Sequence, residues 1–253
     1  MNAAVRIASL RHVYPDGHSA LNGVDLTIGA GERVAVLGPN GAGKTSLMLH
    51  LNGVLTASSG TVEISGIPVA RSNLRAIRER VGVVFQDPDD QLFMPTVAQD
   101  VAFGPANFGV TGSDLTERVT AALAAVSLAD QAERSPAHLS AGQRRRAALA
   151  TVLACRPEVL VLDEPSANLD PVGRRELAET LMTLETTLLI VTHDLPYAAQ
   201  LCNRAVIMDS GVVVADGEIS AVLADTELLA RHRLELPWGF RVGKPDGRPE
   251  TLS

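Results

Sequence analysis

Several features that would restrict the function of this protein are scarce or missing in its sequence. The chain of 253 residues has only two cysteines, Cys155 and Cys202, and their separation matches no metal-binding or redox motif. No apolar run approaches the roughly 18–20 residues of a membrane-spanning helix, and the N-terminus lacks the apolar stretch of a secretory signal. We therefore expect a soluble chain in a reducing, intracellular compartment.

An excess of basic charge is missing as well. The chain carries 22 Lys and Arg residues against 29 Asp and Glu residues, so its net charge is −7. Because a nucleic-acid-binding face needs positive charge, this balance predicts no nucleic-acid partner. Apolar residues make up 46% of the chain, enough to bury the core of one large α/β domain or of two small ones.

Short apolar runs, typical of strands, recur along most of the chain. Strands are predicted at residues 5–10, 24–28, 33–37, 61–64, 81–85, 159–162 and 187–191. A hairpin is predicted around Ser210 and Gly211. Helical spacing predicts one helix over residues 114–128, with Ser113 as its N-cap, and another over 144–154. The pattern favours a mostly parallel α/β core interrupted by a helical insertion.

The segment after the predicted strand at 33–37 has the composition of a phosphate-binding loop. It comprises Gly38, Pro39, Asn40, Gly41, Ala42, Gly43, Lys44, Thr45 and Ser46, and its first eight residues match G-x-x-x-x-G-K-[ST]. Glycines let backbone N–H groups surround phosphates, and the helix N-terminus adds the positive end of its dipole. Lys44 would supply a cation for the β- and γ-phosphates, and Thr45 a hydroxyl for Mg²⁺. The alternative is a glycine-rich turn that only caps a helix.

Two acidic residues follow a second buried strand. Residues 159–162 are four consecutive apolar residues, and Asp163 and Glu164 come directly after them. Ligands of α/β folds bind at the carboxyl ends of the strands, which is where both carboxylates lie. Asp163 suits the coordination shell of Mg²⁺, and Glu164 could polarise a water molecule for attack on the γ-phosphate. The alternative is a strand that ends in solvent with ordinary charges.

A third motif lies between these two segments. Leu139-Ser140-Ala141-Gly142-Gln143 contains the capping box S-x-x-Q, and a capped helix N-terminus with a glycine is also an anion site. Taken together and in this order, the motifs resemble those of the ATP-binding-cassette (ABC) family of ATPases. The resemblance runs from Tyr14 to beyond His193 and so covers most of the chain.

The resemblance gives each motif a role. The matching segments are the Walker A loop at 38–45, the signature motif at 139–143, Walker B at 159–164 and the D-loop at 166–170. Gln86 resembles the Q-loop glutamine, His193 the switch histidine, and Tyr14 the aromatic residue that stacks on adenine. One position departs from the family pattern. Ala141 stands where a glycine is usual, and an alanine is accommodated there if its φ is negative.

The fold that the resemblance implies is that of a P-loop NTPase of the α/β class. It has a mostly parallel core sheet, an N-terminal antiparallel β subdomain, and a helical subdomain at about residues 91–155, inserted between the Q-loop and Walker B. We expect the ATPase domain to span residues 1–230. Residues 231–253 contain several prolines and glycines, and we expect them to form a C-terminal extension with a partly disordered tail.

The resemblance also implies that ATP and Mg²⁺ bind between two subunits arranged head to tail. Each ATP would lie on the Walker A loop of one subunit, with Glu164 as general base and His193 holding the γ-phosphate. Mg²⁺ would be bound by Thr45, Gln86 and Asp163. The opposite subunit would contribute Ser140, Ala141, Gly142, Gln143 and Asp170.

Three further segments indicate which group of ABC ATPases the chain resembles most. Residues 85–93, 100–107 and 234–237 look like those of energy-coupling-factor importer ATPases, above all the cobalt and nickel members. The resemblance implies a peripheral protein at the cytoplasmic face of the cell membrane, in an importer for a metal ion or a vitamin. Its partners would be a second ABC ATPase subunit (a copy or a close relative), a transmembrane coupling protein and a substrate-capturing membrane protein. The alternative is a soluble ABC ATPase that powers an assembly or DNA-related process.

Overall fold

Two β-sheets with helices on both sides of the larger one make up the computed structural model, which describes residues 3–240. The strands are β1 (Ala3–Val13), β2 (Ser19–Gly29), β3 (Arg33–Leu37), β4 (Ser59–Ile64), β5 (Ile67–Pro68), β6 (Val81–Val84), β7 (Val159–Asp163), β8 (Thr187–Val191), β9 (Arg204–Asp209) and β10 (Val212–Glu218). The helices are α1 (Lys44–Leu51), α2 (Leu74–Arg80), α3 (Val97–Asn107), α4 (Gly112–Ala125), α5 (Ala141–Leu153), α6 (Pro171–Met182), α7 (Leu195–Leu201), α8 (Ile219–Ala224) and α9 (Thr226–Arg231).

The smaller sheet is antiparallel and has the strand order β2-β1-β4-β5. In β2, the apolar Val24, Leu26 and Ile28 are buried while Asp25 and Thr27 between them are exposed. This alternation is typical of a sheet with one face on the core and one in solvent. The antiparallel β subdomain predicted near the N-terminus is therefore confirmed.

The larger sheet has the order β10-β9-β3-β8-β7-β6, and all of its pairs are parallel except the hairpin β9–β10. That hairpin turns at Ser210 and Gly211, as predicted. Both faces of this sheet are covered, since Val34 and Val36 pack into one apolar cluster and Ala35 and Leu37 into the other. Burial on both faces accounts for the nearly continuous apolar runs of its strands.

The carboxyl ends of four neighbouring strands meet at one edge of the larger sheet. Val191 at the end of β8 pairs with Asp163 at the end of β7 and with Val36 in β3, and β6 ends next to β7. The segments that follow β3, β6, β7 and β8 therefore begin side by side. Most of the sequence-predicted site residues lie in these four segments, where ligands of open α/β sheets bind.

The helical insertion lies between β6 and β7, where three helices, α3, α4 and α5, follow one another. The predicted bounds of two of these helices are wrong, since α4 ends at Ala125 rather than at residue 128 and α5 at Leu153 rather than at residue 154. Ser113 is not an N-cap, because Gly112 with φ of +62° turns the chain earlier and α4 starts at that glycine. The second helix begins at Ala141 rather than at residue 144, because the capping box of Ser140 and Gln143 starts it there.

The segment after α9 packs against the body of the protein before it reaches residue 240. Leu234 is buried, Leu236 contacts the same apolar cluster, and Trp238 is fully exposed. The tail predicted for residues 231–253 lies outside the described residues from position 241 onward. Within residues 3–240, no helix combines the length and the apolar character needed to cross a membrane.

Candidate nucleotide site

The phosphate-binding loop predicted at residues 38–45 connects β3 to α1. Two of its glycines are required by the backbone. Gly43 is the N-cap of α1 with φ of +95°, and a Cβ there would collide with the carbonyl oxygen of Ala20. Gly38 has φ of +149°, and a Cβ there would collide with the carbonyl oxygen of Met208. Only glycine combines such a φ with such close backbone neighbours.

Lys44 lies across this loop and is buried, with 8% of its surface exposed. Its ammonium donates hydrogen bonds to the carbonyl oxygens of Gly38 at 2.7 Å and Pro39 at 3.0 Å. Burial lowers the pKa of Lys44, and the carboxylates of Glu164 and Asp163 partly oppose this. The loop thus has a cation directly against its backbone, and a cation is what the binding of a polyphosphate requires.

The first residues of α1 are joined to the end of β7. The hydroxyl of Thr45 donates a hydrogen bond of 3.2 Å to Oδ2 of Asp163. Burial and the charge of Glu164 raise the pKa of Asp163, while the bond from Thr45 and the charge of Lys44 act in the opposite direction. Hydroxyl and carboxylate oxygens are the ligand type that Mg²⁺ prefers. This ion usually takes only one or two ligands from the protein and fills its other positions with water and phosphate oxygens.

Glu164, the residue after Asp163, has an unusual backbone and a fully engaged carboxylate. Its φ of +45° lies in the left-handed region, which non-glycine residues rarely occupy and which is found often at functional sites. Oε2 accepts a hydrogen bond from the Thr192 hydroxyl at 2.8 Å. Oε1 accepts from the main-chain N–H of His193 at 3.1 Å and lies 2.7 Å from its Nδ1. The His193 ring is otherwise open to solvent, with 67% of the side chain exposed.

Tyr14, predicted to stack on adenine, lies beside the start of α1. Its hydroxyl forms a hydrogen bond of 3.0 Å with the Ser46 hydroxyl. The ring meets that of His12 edge to face at 4.6 Å and lies almost parallel to that of His18 at 6.4 Å. The structure therefore brings Tyr14 and Ser46 together next to the phosphate-binding loop.

Gln86 follows β6 at the same edge of the sheet, and its backbone carbonyl accepts a hydrogen bond from Arg145. The side-chain amide of Gln86 is exposed and makes no hydrogen bond within residues 3–240. The structure thus places Gln86 after the strand that neighbours β7, and no hydrogen bond joins its side chain to Thr45 or Asp163.

The signature segment and Asp170 are not joined to the phosphate-binding loop. Ser140 and Ala141 are exposed at the N-terminus of α5, where Ser140 and Gln143 form the capping box. Ala141 lies in the first turn of this helix, with a φ compatible with an alanine. Asp170 is exposed and caps α6 through a hydrogen bond of 2.7 Å from the N–H of Gly173. No hydrogen bond or ion pair among the described residues connects these groups to residues 38–45.

Sequence reasoning missed polar residues that hold the site together. Thr192 supports Glu164 and also accepts a hydrogen bond from the N–H of Asp194. Asp194 accepts from the Ser166 hydroxyl and pairs with Arg174 at 2.7 Å. Arg145 is the one missed residue that the sequence pattern could have revealed. It lies among the apolar residues of the buried side of α5, and a charged residue in such a place needs a polar partner inside the protein.

The family profile described as ABC transporter matches residues 21–167, more than half of the chain. A Streptomyces coelicolor protein provisionally assigned as an ABC transporter ATP-binding protein is 60% identical over 238 residues, which are 94% of this chain and 92% of that one. The energy-coupling factor transporter ATP-binding protein EcfA of Carboxydothermus hydrogenoformans is 47% identical over 240 residues, 94% of this chain and 88% of that one.

Solved structures agree with these relatives. The cbiO1 protein of Clostridium perfringens, described as part of the ABC transporter complex cbiONQ, has a TM-score of 0.81 and 37% identity and covers 94% of this chain and 97% of its own. A dimeric ATP-binding cassette in a post-hydrolysis state with bound ADP and phosphate has a TM-score of 0.77 and 26% identity. The match covers 85% of this chain and 98% of that one. The chain therefore belongs to the ABC transporter family, as an ATPase subunit of a transporter.

Proposed function

We propose that this subunit hydrolyses ATP to energise an importer of the energy-coupling-factor type. The main observation in support of an ATPase site is the hydrogen bond between Thr45 and Asp163. It joins the helix that follows the phosphate-binding loop to the strand end after which Glu164 lies. The type of importer rests on the similarity to EcfA and to cbiO1. As cargo we propose a cobalt or nickel ion, or a vitamin, which the sequence resemblance to energy-coupling-factor importer ATPases implies.

In the proposed site, the backbone of residues 38–43 and Lys44 bind the phosphates of ATP, and Tyr14 stacks on the adenine. Thr45 and Asp163 hold Mg²⁺ with help from Gln86, whose exposed amide is free to turn toward them. Mg²⁺ held by these residues would supply positive charge against the phosphates. The hydroxyl and carboxylate pair suits an ion that takes few protein ligands.

Glu164 acts in this proposal as the general base that takes a proton from the attacking water. Its carboxylate is held on both oxygens by residues that follow β8, so it cannot rotate freely. His193 is exposed enough to turn from Glu164 toward the γ-phosphate, where its imidazole would hold a terminal oxygen. Precise placement of base and phosphate is what such a reaction requires of the protein.

A second ABC ATPase subunit completes the site in this proposal. Ser140 and Ala141 are exposed at the N-terminus of α5, Gly142 beside them is partly exposed, and Asp170 is exposed as well. A helix N-terminus attracts phosphate through its free N–H groups and its dipole. The partner subunit's copy of this helix would therefore cover the γ-phosphate, and a dimeric cassette is among the similar solved structures.

The proposed docking surface for the transmembrane coupling protein is an aromatic pair in the helical insertion. Phe93 is 62% exposed and Phe103 41% exposed, and their rings meet edge to face at 4.9 Å. The acidic Asp89 and Asp90 are exposed in the segment that leads from Gln86 to this pair. Exposed apolar side chains with a charged rim are typical of protein-binding surfaces. Docking there would hold the subunit at the cytoplasmic face of the membrane, beside the substrate-capturing protein.

The test is co-expression of the full chain with the membrane proteins encoded beside its gene. We expect the chain to sediment with the membrane fraction, and the purified complex to hydrolyse ATP and accumulate cargo in vesicles. A double variant, Phe93→Asp with Phe103→Asp, should lose membrane attachment, while Trp238→Asp, another exposed aromatic residue, should keep it. A wild-type chain that stays wholly soluble beside these proteins would favour an ABC ATPase that works away from the membrane.

A further inference from the structure

Arg145 is a buried arginine that contacts two of the site segments at once. Only 3% of its surface is exposed. From α5, its Nη1 donates to the carbonyl oxygens of Phe85 at 3.3 Å and Gln86 at 2.5 Å, and its Nη2 donates to the carbonyl oxygen of Ala167 at 3.1 Å. Phe85 and Gln86 belong to the segment after β6, and Ala167 to the segment after β7.

No acidic side chain among residues 3–240 lies within ion-pair distance of Arg145. Its guanidinium donates to backbone carbonyl oxygens instead. Burial lowers the pKa of this guanidinium, while the charges of Asp87 and Asp163 act in the opposite direction. A buried charge without a counter-ion is costly unless its donors are well satisfied. The planar fork of arginine has donors on separate nitrogens, which suits carbonyls on two segments, whereas lysine has all three of its donors on one nitrogen.

The segment after β6 is held to α5 from its own side as well. The side chain of Gln91 accepts a hydrogen bond from the N–H of Phe85 at 3.3 Å. Its amide donates to the carbonyl oxygen of Ala148 at 2.9 Å and to the hydroxyl of Thr151 at 2.7 Å, both on α5. The N–H and the carbonyl of Phe85 are thus both bound by side chains that connect it to this helix.

We propose that Arg145 is a positioning residue that makes the segments around Gln86 and Ala167 move with α5 as one unit. Ser140 caps the same helix. A shift of α5 would therefore change two things together: the position of Gln86 in one proposed site, and the surface that this helix offers to the opposite subunit. This inference rests on the proposed function for its consequence in catalysis. The connection itself rests only on the hydrogen bonds of Arg145 and Gln91.

The test uses the full chain with three substitutions. Arg145→Met keeps the length of the side chain and removes its donors, Arg145→Lys keeps the charge but not the fork, and Arg175→Ala on the exposed face of α6 is the control. Amide hydrogen exchange is followed by mass spectrometry in peptides covering residues 85–91 and 166–170, with residues 19–29 as a reference. Melting temperature and steady-state ATP hydrolysis of the intact transporter complex are measured in parallel.

For Arg145→Met we expect exchange to rise about tenfold or more in both site peptides and to stay unchanged in residues 19–29. In the complex, kcat should fall by about tenfold or more with KM for ATP changed less than about twofold. The exchange rates and the kcat of Arg145→Lys should lie between those of Arg145→Met and wild type. Those of Arg175→Ala should equal the wild-type values.

Three results would overturn the proposal: faster exchange in only one of the two site peptides, faster exchange along the whole chain, or an unchanged kcat in Arg145→Met. A wild-type complex without ATP hydrolysis would instead refute the proposed function, and the exchange data would still decide whether Arg145 connects the two segments.

Discussion

Glu164 and His193 are joined by a hydrogen bond of 2.7 Å between Oε1 and Nδ1. The Thr192 hydroxyl holds the other carboxylate oxygen at 2.8 Å, so both oxygens are bound by residues that directly follow β8. The φ of +45° at Glu164 is a conformation that costs free energy for a non-glycine residue and that clusters at functional sites. This arrangement fixes one carboxylate beside Asp163, and it makes the chemical role of Glu164 open to a direct test.

Glu164→Gln is expected to slow ATP hydrolysis by about 10²- to 10⁴-fold, because an amide cannot take a proton from water. ATP affinity should stay within about threefold of wild type, since Lys44 and the phosphate-binding loop are unchanged. Turnover and affinity are measured by phosphate release and by calorimetry. The control Glu179→Gln, an exposed residue of α6, should leave both unchanged. A near-normal rate in Glu164→Gln would remove this residue from the role of base.

Asp163→Asn is expected to stabilise the nucleotide-free protein at neutral pH. Burial and the charge of Glu164 raise the pKa of Asp163 in the folded state, so its ionised form is less stable there than in the unfolded chain. That penalty is absent at pH values below the unfolded pKa and develops as the pH rises through the folded pKa. We expect a gain on the order of 2–4 °C in melting temperature at pH 7.

Melting curves recorded between pH 4 and pH 8 check this sign, because the gain from Asp163→Asn should shrink as the pH falls and wild-type Asp163 is protonated. The same variant should lose Mg²⁺-dependent hydrolysis, since an amide is a poorer ligand for this ion. A variant that melts below wild type at pH 8 and equals it at pH 4 would contradict the expected sign.

Lys44→Ala is expected to weaken ATP binding by about 10- to 150-fold, because a hydrogen bond from a charged group contributes about 1.5–3 kcal/mol and every 1.4 kcal/mol is tenfold in affinity. The carbonyl oxygens of Gly38 and Pro39 would lose their donor as well. Calorimetric titration with ATP measures the effect, and Arg75→Ala, on the exposed surface of α2, serves as control. Undiminished affinity in Lys44→Ala would place the nucleotide elsewhere.

Contiguous motifs made much of this fold predictable from sequence. The strand at residues 33–37, its glycine-rich loop and α1 are adjacent along the chain, so local composition was enough to predict them. The apolar run that ends at Asp163 likewise predicted a strand buried on both faces, and the structure confirms it. Helix boundaries were less predictable, because Gly112 and the capping box at Ser140 act through backbone geometry at single positions.

The contacts that hold the site were out of reach of local reasoning. Thr192 bonds to Glu164 across 28 positions, and Arg145 bonds to Gln86 across 59. Such partners meet only after β6, β7 and β8 align and α5 packs on the sheet. Arg145 alone carried a signal, since it shares the buried face of α5 with Ala148, Leu149 and Val152.

Ser140→Arg is expected to prevent ATP-dependent dimerisation while leaving ATP binding to the single subunit unchanged. Ser140 is exposed at the N-terminus of α5, so a long side chain there would block the approach of a second subunit's nucleotide. The experiment uses gel filtration of Glu164→Gln protein with ATP, in which slow hydrolysis should let a closed dimer accumulate.

Ser140→Thr is the matched control for this prediction, because threonine keeps the hydroxyl that caps α5. Loss of that cap would lower the stability of the protein by about 0.5–2 kcal/mol. It should dimerise as the parent does. The hydrolysis rate of Ser140→Arg should also fall to that of an isolated subunit, since the proposed site is complete only with the partner's helix. An ATP-induced dimer of normal size in Ser140→Arg would mean that this helix does not face the nucleotide of the opposite subunit.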